Sequence, residues 1–506
     1  MSKLSGLKAK IFPPDANFTL KELTGYSAGL MGNTMGQDTV GTYSEKFNRD
    51  FMGLRKDESA GVRFDPNIML GNVSKILGFL IPPVAGAVVD RPADKKFGGS
   101  KPVLALAPVP FAITSLLLFI VPNQSLIFRV IYTFILTLLF EIADTFYDMA
   151  LNAISIRMTT DTGTRKNFYT IAQLAGTIGS MLPGWILPII VGRIQNAADQ
   201  KWGYFFVALF FCVVGVSSMY APYFTLSEKV YVKSYQKQER IKLKYILSNK
   251  PLCILIIAEI LSSIRKVTYD YLPYLYQNTF DKYGMKTVID MVSGTLSYVS
   301  LLAVPFLGRF MSSRTIMGTG YLFTAVFYGI MSLFNINFSV KGIRSKKWLI
   351  GILIGISGFP NGAQGAAKRI MIADSTEYME WSTYKKYGVP VRSEGMVLAA
   401  MSISDKITGL ARSNMYNISL NKIGYKSSYT DGAGETVYPV QTNQTLKGIF
   451  TVTTVFGLIG SLLPGLIILT DRYTGARKQK ILEELADIRK LVNEKTEELN
   501  EENQIS

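Results

Sequence analysis

The chain alternates long apolar runs with short polar ones. Runs near 67–89, 102–121, 126–154, 168–192 and 203–225 are each long enough, as helices, to cross a hydrocarbon layer of about 30 Å. An earlier run, Gly25 to Tyr43, is weaker: it is rich in Gly and Thr and carries Thr34, Gln37 and Asp38. Its glycines suit close helix packing. Six further runs lie near 250–272, 286–308, 315–334, 348–373, 394–419 and 447–470. Between the two sets stands the longest strongly basic internal connection, 226–249. The pattern predicts an all-α membrane protein of twelve spans. It divides into a six-helix part over 1–225, a connection over 226–249, a second six-helix part over 250–470 and a tail over 471–506. Pro82-Pro83 predicts a kink in span two. The tail has apolar residues at Ile481, Leu485, Ile488, Val492 and Leu499, the spacing of an amphipathic helix. That helix is expected to lie on the bundle or in solvent, with a dimerising coiled coil as the alternative.

Composition narrows the chemistry. The 506 residues include no histidine, so proton handling falls to carboxylates or lysines. Cys212 and Cys253 both sit in apolar runs, which argues against a disulfide framework or a thiolate metal site. The net charge of +17 is spread over many short loops. That distribution fits anchoring at a bilayer surface and gives no reason to expect nucleic acid. No metal, no cofactor beyond a coupling H⁺ or Na⁺, and a monomer are expected. The sequence contains no phosphate loop, zinc spacing or nucleophile elbow, so an enzyme is not expected. The N-terminus lacks the apolar core of a cleavable signal peptide. The central segment and the basic tail place both termini in the cytoplasm of a cell-membrane protein, although loop cations on the other side make that bias modest.

Charged groups within apolar runs mark candidate chemistry, because a charge at the bilayer centre costs about 2.5–3.5 kcal/mol. In span four, Glu141, Asp144 and Asp148 follow at intervals of three and four, so they share one helix face. Three such carboxylates cannot all ionise cheaply, and this suits binding of H⁺, Na⁺ or hydroxyls. Pairing with lysines of facing helices is the structural alternative. Lys75 in span two and Lys406 in span eleven lie deep. Arg369 lies near a helix end and is expected to snorkel towards the interface; the same outcome is open for Lys368. Arg265-Lys266 sits well inside span seven. Ser402 lies one turn before Lys406 on the same face, whereas Asp405 points about 100° away from it.

The densest stretch runs from Gly358 to Lys406. It contains Ala373-Asp374-x-x-Glu377-Tyr378-x-Glu380-Trp381, then Arg392-x-Glu394, then Lys406. This ordered signature resembles that of the glycoside–pentoside–hexuronide:cation symporters, the melibiose-permease-like branch of the major facilitator superfamily. Met158-Thr159-Thr160-Asp161-x-x-x-Arg165, downstream of Asp148, resembles another family pattern.

The resemblance implies a major facilitator fold and alternating access around a site near the midplane. It also implies transport of a small polar solute, a glycoside or sugar acid, coupled to H⁺ or Na⁺. It places the family's helix-four aspartate on Asp148, or on Asp144 if aligned from the following helix, and the helix-eleven lysine on Lys406. Asp90, Arg91, Arg165, Asp374, Glu377, Glu380, Arg392 and Glu394 become the charged, gating loops. Other family positions depart: the helix-one aspartate falls on Thr34, the two cation-binding aspartates on Gly78 and Pro82, and an arginine on Ala172 or Gln173. With those carboxylates missing, coupling to protons is expected over sodium. Asp144 and Asp148 are expected to face a central cavity within reach of span eleven, with Lys406 paired there. A same-fold carrier of an organic anion or lysolipid, and a non-transporting sensor, are the alternatives.

Gly86-x-x-x-Asp90-Arg91 after span two is echoed by Gly308-Arg309 and Arg314 after span eight, a trace of internal repetition.

Overall fold

A computed structural model describes residues 19–54, 70, 73–74, 76–90, 99–158, 162–192, 200–226, 243–282, 285–426, 429–430, 436–437 and 440–505. Lys75, Arg91, Asp161 and most of the basic connection lie outside the described residues.

The helices run in the predicted order. The first part of the chain holds α1 (Leu20–Asp50), α2 (Ile81–Val89), α3 (Ser100–Leu106), α4 (Pro108–Leu117), α5 (Leu126–Ile156), α6 (Thr162–Gly192) and α7 (Gln200–Thr225). After a short α8 (Leu243–Ser248) come α9 (Lys250–Tyr274), α10 (Met285–Leu307), α11 (Ser313–Asn337), α12 (Val340–Ser345) and α13 (Lys347–Ser357). Then follow α14 (Asn361–Tyr387), α15 (Glu394–Lys422), α16 (Asn443–Leu469) and the tail helix α17 (Gly475–Ile505). A two-residue antiparallel pairing, Tyr429 with Val437 and Thr430 with Thr436, lies between α15 and α16.

Local chemistry explains several boundaries. Thr19 caps α1 in a capping box with Glu22, so the first span starts before the glycine-rich run and is longer than its hydropathy suggests. Pro82 and Pro83 stand in the first turn of α2, after a 3₁₀ turn at Gly78–Leu80. There the prolines begin a helical segment, where their missing N–H groups cost little. The tenth span is two helices, α13 and α14, with Pro360 at the break. Lys385 and Lys386 belong to the last turn of α14 and not to the following loop.

Among the described residues, six segments are long and apolar enough to cross a membrane: α3–α4, α5, α7, α10, α11 and α16. Their outward side chains include Phe210, Phe224, Leu302 and Phe306, all more than half exposed. Such a surface is stable against lipid. Helices α1, α6, α9, α14 and α15 are more polar.

The chain forms two compact units. The first contains Met1–Asn249, Ile372–Ile403 and Leu482–Ser506; the second contains Lys250–Met371 and Ser404–Ile481. The boundary therefore passes through α14 and α15.

In the first unit α1 packs along α6 and α7 at backbone distance. Glycines make this possible: a Cβ on Gly32 would stand 2.3 Å from the Gly215 carbonyl oxygen of α7, and one on Gly179 of α6 would stand 2.4 Å from the Met31 carbonyl oxygen of α1. In the second unit α16 is the glycine-rich helix. A Cβ on Gly460 would lie 2.1 Å from the Arg265 backbone nitrogen of α9, and one on Gly457 would lie 2.4 Å from Tyr328 of α11. Val267, Tyr271, Tyr276, Tyr328 and Phe450 fill the core between these helices.

The tail helix buries Ile481, Leu485 and Ile488, the stripe that its spacing predicts. Both cysteines are free thiols.

Candidate functional site

The signature residues assemble into one charged cluster within the first unit. Asp374, Glu377 and Glu380 follow at intervals of three and so share a face of α14. Arg165, near the start of α6, donates from Nη2 to Glu377 Oε1 at 2.9 Å and stands 3.6 Å from Asp374 Oδ1. All three side chains are buried. Glu380 accepts two hydrogen bonds from Arg489 of the tail helix, at 2.9 and 2.5 Å, and pairs with Arg392 at 3.5 Å. Arg392 also donates to Glu394 Oε1 at 2.6 Å. Arg157, the C-cap of α5, reaches the other Glu394 oxygen at 3.2 Å and Asp90 at 3.5 Å.

Asp90, just beyond the end of α2, closes the cluster. It accepts from Ser393 Oγ and from the Gly395 backbone N–H at 2.9 Å. A carboxylate is favourable there, at the N-terminus of α15. Two glycines permit the approach: a Cβ on Gly86 would lie 2.5 Å from the Gly395 carbonyl oxygen, and one on Gly395 would lie 2.3 Å from that of Gly86. Burial and the neighbouring Glu394 charge push Asp90 up to about 6, against the hydrogen bonds and the Arg157 charge that would lower it.

Seven of the eight charged-loop candidates thus meet in one network, and Arg91 lies outside the described residues. Arg157 and Arg489 were not singled out as site residues. The available signal for Arg489 was its place one turn after Leu485, beside the apolar stripe of the tail. Trp381 of the signature donates to Glu484 of the same tail helix at 3.0 Å.

Among the solute-site candidates, Gln37 of α1 donates to Asp144 Oδ1 of α5 at 2.7 Å. Thr34, one turn before Asp38, donates across to the Gly176 carbonyl of α6 at 2.8 Å. Glu141, Asp148, Gln173 and Asp38 are part-buried in the same unit. Ser402 belongs to the first unit and Lys406 to the second.

The second unit holds an intramembrane network that the sequence did not reveal. Glu259 of α9 is 4% exposed and binds Lys266 at 2.6 Å and Lys368 at 3.2 Å. Lys368 also binds Asp405 of α15 at 3.1 Å. Two carboxylates within reach therefore hold the Lys368 ammonium, which has no need of the interface. Arg265 lies buried over the Tyr321 ring, 4.7 Å from its centroid, with Gln364 and Asn361 at 3.4–3.5 Å. Asp270 and Arg412 form a bidentate pair further along α9 and α15. In the echo of the Asp90 motif, Arg314 is buried against Asp471 and stacks on Tyr473.

The model of the MFS/sugar transport protein family matches residues 25–473. The chain belongs to this family. As a member of the MFS/sugar transport proteins it is a multi-pass membrane transporter and not an enzyme.

It is 24% identical over 462 residues to an uncharacterized symporter, YjmB, of Bacillus subtilis (strain 168), covering 90% of this chain and 92% of that one. It is 26% identical over 369 residues to the isoprimeverose transporter of Lactiplantibacillus pentosus, covering 71% and 73%. The solved proton:xylose symporter XylE superposes with a TM-score of 0.59 at 12% identity, over 87% of this chain and 94% of that one. At that identity the likeness establishes the major facilitator fold alone.

Proposed function

We propose that this MFS/sugar transport protein is a cation-coupled symporter of a small glycoside or sugar acid, working by alternating access. It acts as a monomer in the plasma membrane with both termini cytoplasmic. Asp144 and Asp148 bind the coupling ion and substrate hydroxyls, with Glu141 on the same stripe. Gln37, Thr34, Asp38, Gln173, Ser402 and Lys406 contribute to the substrate site.

The observation that carries this reading is the Gln37–Asp144 hydrogen bond, 2.7 Å. It holds a carboxylate of span four against span one through an amide donor. A carboxylate held this way can take up a proton or accept from a hydroxyl. The similarity to a symporter and to an isoprimeverose transporter supports the coupled, saccharide-directed form of the reading. A proton is the coupling ion: Gly78 and Pro82 offer no oxygen ligands for a hard cation, which wants several.

The charged cluster at the ends of α2, α5, α6, α14 and α15 is the cytoplasmic gate. Its ion pairs must break for the site to open there, and their regain sets the cost of each cycle.

Binding of isoprimeverose, neutral monosaccharide glycosides and D-glucuronate to the purified protein, followed by isothermal titration calorimetry, tests the reading. Saturable binding of at least one saccharide is expected. Failure of all of them to bind would remove saccharides as cargo.

A further inference from the structure

We propose that the Lys266–Glu259–Lys368–Asp405 network is a substrate subsite of the second unit, built for the hydroxyl groups of a neutral sugar and not for a carboxylate. This deepens the saccharide reading above and rests on it.

Depth comes first. Glu259 lies about 14 Å along α9 from Lys250, and Asp405 about 16 Å along α15 from Glu394, at ~1.5 Å per residue. In a hydrocarbon layer of about 30 Å both fall near the midplane, where secondary transporters hold their substrates. The two helices run parallel, with Ser404 donating to the Ile256 carbonyl and Thr408 to that of Glu259.

Exposure is the second argument. The Asp405 side chain is 50% exposed, Lys266 31% and Lys368 25%. Ionised groups at this depth do not face lipid, so their open sides face water. Glu259, by contrast, is buried and holds both ammonium groups in place.

Unused bonding capacity gives the chemistry. Among the described residues, Asp405 engages only Oδ1, leaving Oδ2 as an open acceptor. The Lys368 ammonium has two carboxylate partners for three N–H groups, and Lys266 has one. An open carboxylate oxygen beside open ammonium donors matches a polyol, whose hydroxyls both donate and accept. The two lysines and two carboxylates cancel in charge, so the network offers an anion no net attraction. Asp405 Oδ2 would repel a substrate carboxylate directly. Arg265, next in sequence to Lys266, is engaged by the Tyr321 ring, Asn361 and Gln364.

The test is calorimetric titration of full-length wild type, Asp405→Asn, Lys368→Met and the control Asp270→Asn with isoprimeverose and D-glucuronate. The control breaks another part-exposed ion pair on the same two helices, outside the subsite. Wild type should prefer isoprimeverose. Asp405→Asn and Lys368→Met should each weaken it at least tenfold, Asp270→Asn should not, and Asp405→Asn should shift the preference towards glucuronate. If Asp405→Asn does not fold, Lys368→Arg serves: it keeps the ion pairs but redirects the donors, and should weaken isoprimeverose severalfold. Unchanged affinity in the folded subsite variants, or a wild-type preference for glucuronate, would overturn the subsite while leaving a saccharide carrier. Binding of neither ligand by wild type, together with failure of the neutral monosaccharide glycosides, would overturn the saccharide reading, and the subsite with it.

Discussion

Arg165 donates to Glu377 at 2.9 Å with both side chains about 1% exposed. The pair joins the start of α6 to the middle of α14, and Asp374 stands beside it. Removing one partner of a buried ion pair leaves an uncompensated charge, at a cost of about 3–5 kcal/mol. Arg165→Met and Glu377→Gln should each lower the thermal unfolding midpoint sharply. The double variant should lose less than the sum, with a coupling of about 1–3 kcal/mol. Additive losses would show that the two side chains are energetically independent.

Asp90 carries a pH signature. Its folded-state value near 6 lies above the ordinary 3.8, so the folded protein holds a proton there that the unfolded chain releases. This contribution is fully present below about 4, declines as pH rises from about 4 to 6, and is absent above. Two units correspond to about 3 kcal/mol. Asp90→Asn should remove this component, so stability relative to wild type should rise from pH 4 to pH 7. Parallel pH profiles of unfolding for the two proteins would contradict the assignment.

Gly86 and Gly395 let α2 and α15 meet backbone to backbone. A methyl group at either position drives into a carbonyl that cannot move without its helix. Gly86→Ala should cost about 1–3 kcal/mol and weaken the Asp90 cap on α15. Cysteine accessibility at Ser393 should rise in this variant. An unchanged labelling rate would mean that the contact does not hold the cap closed.

The order of the spans was legible because lipid favours apolar length, which the six most apolar segments report directly; the breaks at Ala107 and Pro360, which split two spans into helix pairs, were not. The Asp374–Glu394 signature was legible as a charged set through the family resemblance, since Asp374, Glu377, Glu380, Arg392 and Glu394 lie close in sequence. Partners from distant sequence were not. Arg489 sits in a helix whose spacing predicted only an apolar face. Glu259 is a single acidic residue in an otherwise apolar run, and only the fold shows that Lys266 and Lys368 converge on it. The sequence leaves the fate of Lys368 open for the same reason: its two carboxylate partners come from α9 and α15.

Gln37 donates to Asp144, so Gln37→Leu should disturb that carboxylate without altering charge. A hydrogen bond to a charged group is worth about 1.5–3 kcal/mol, equivalent to roughly a ten- to hundredfold loss in transport rate. Gln37→Glu should be worse, because it sets two carboxylates against each other. Transport at the wild-type rate by Gln37→Leu would remove Asp144 from the working site.

The most direct test is uptake of labelled isoprimeverose into proteoliposomes containing the purified protein, under an imposed proton gradient or an imposed sodium gradient. The account predicts accumulation above equilibrium with the proton gradient, none with sodium alone, and loss of accumulation in Asp144→Asn. Accumulation driven by sodium and indifferent to pH would contradict proton coupling. Equal accumulation by wild type and Asp144→Asn would contradict the central claim that this carboxylate couples the ion to the sugar.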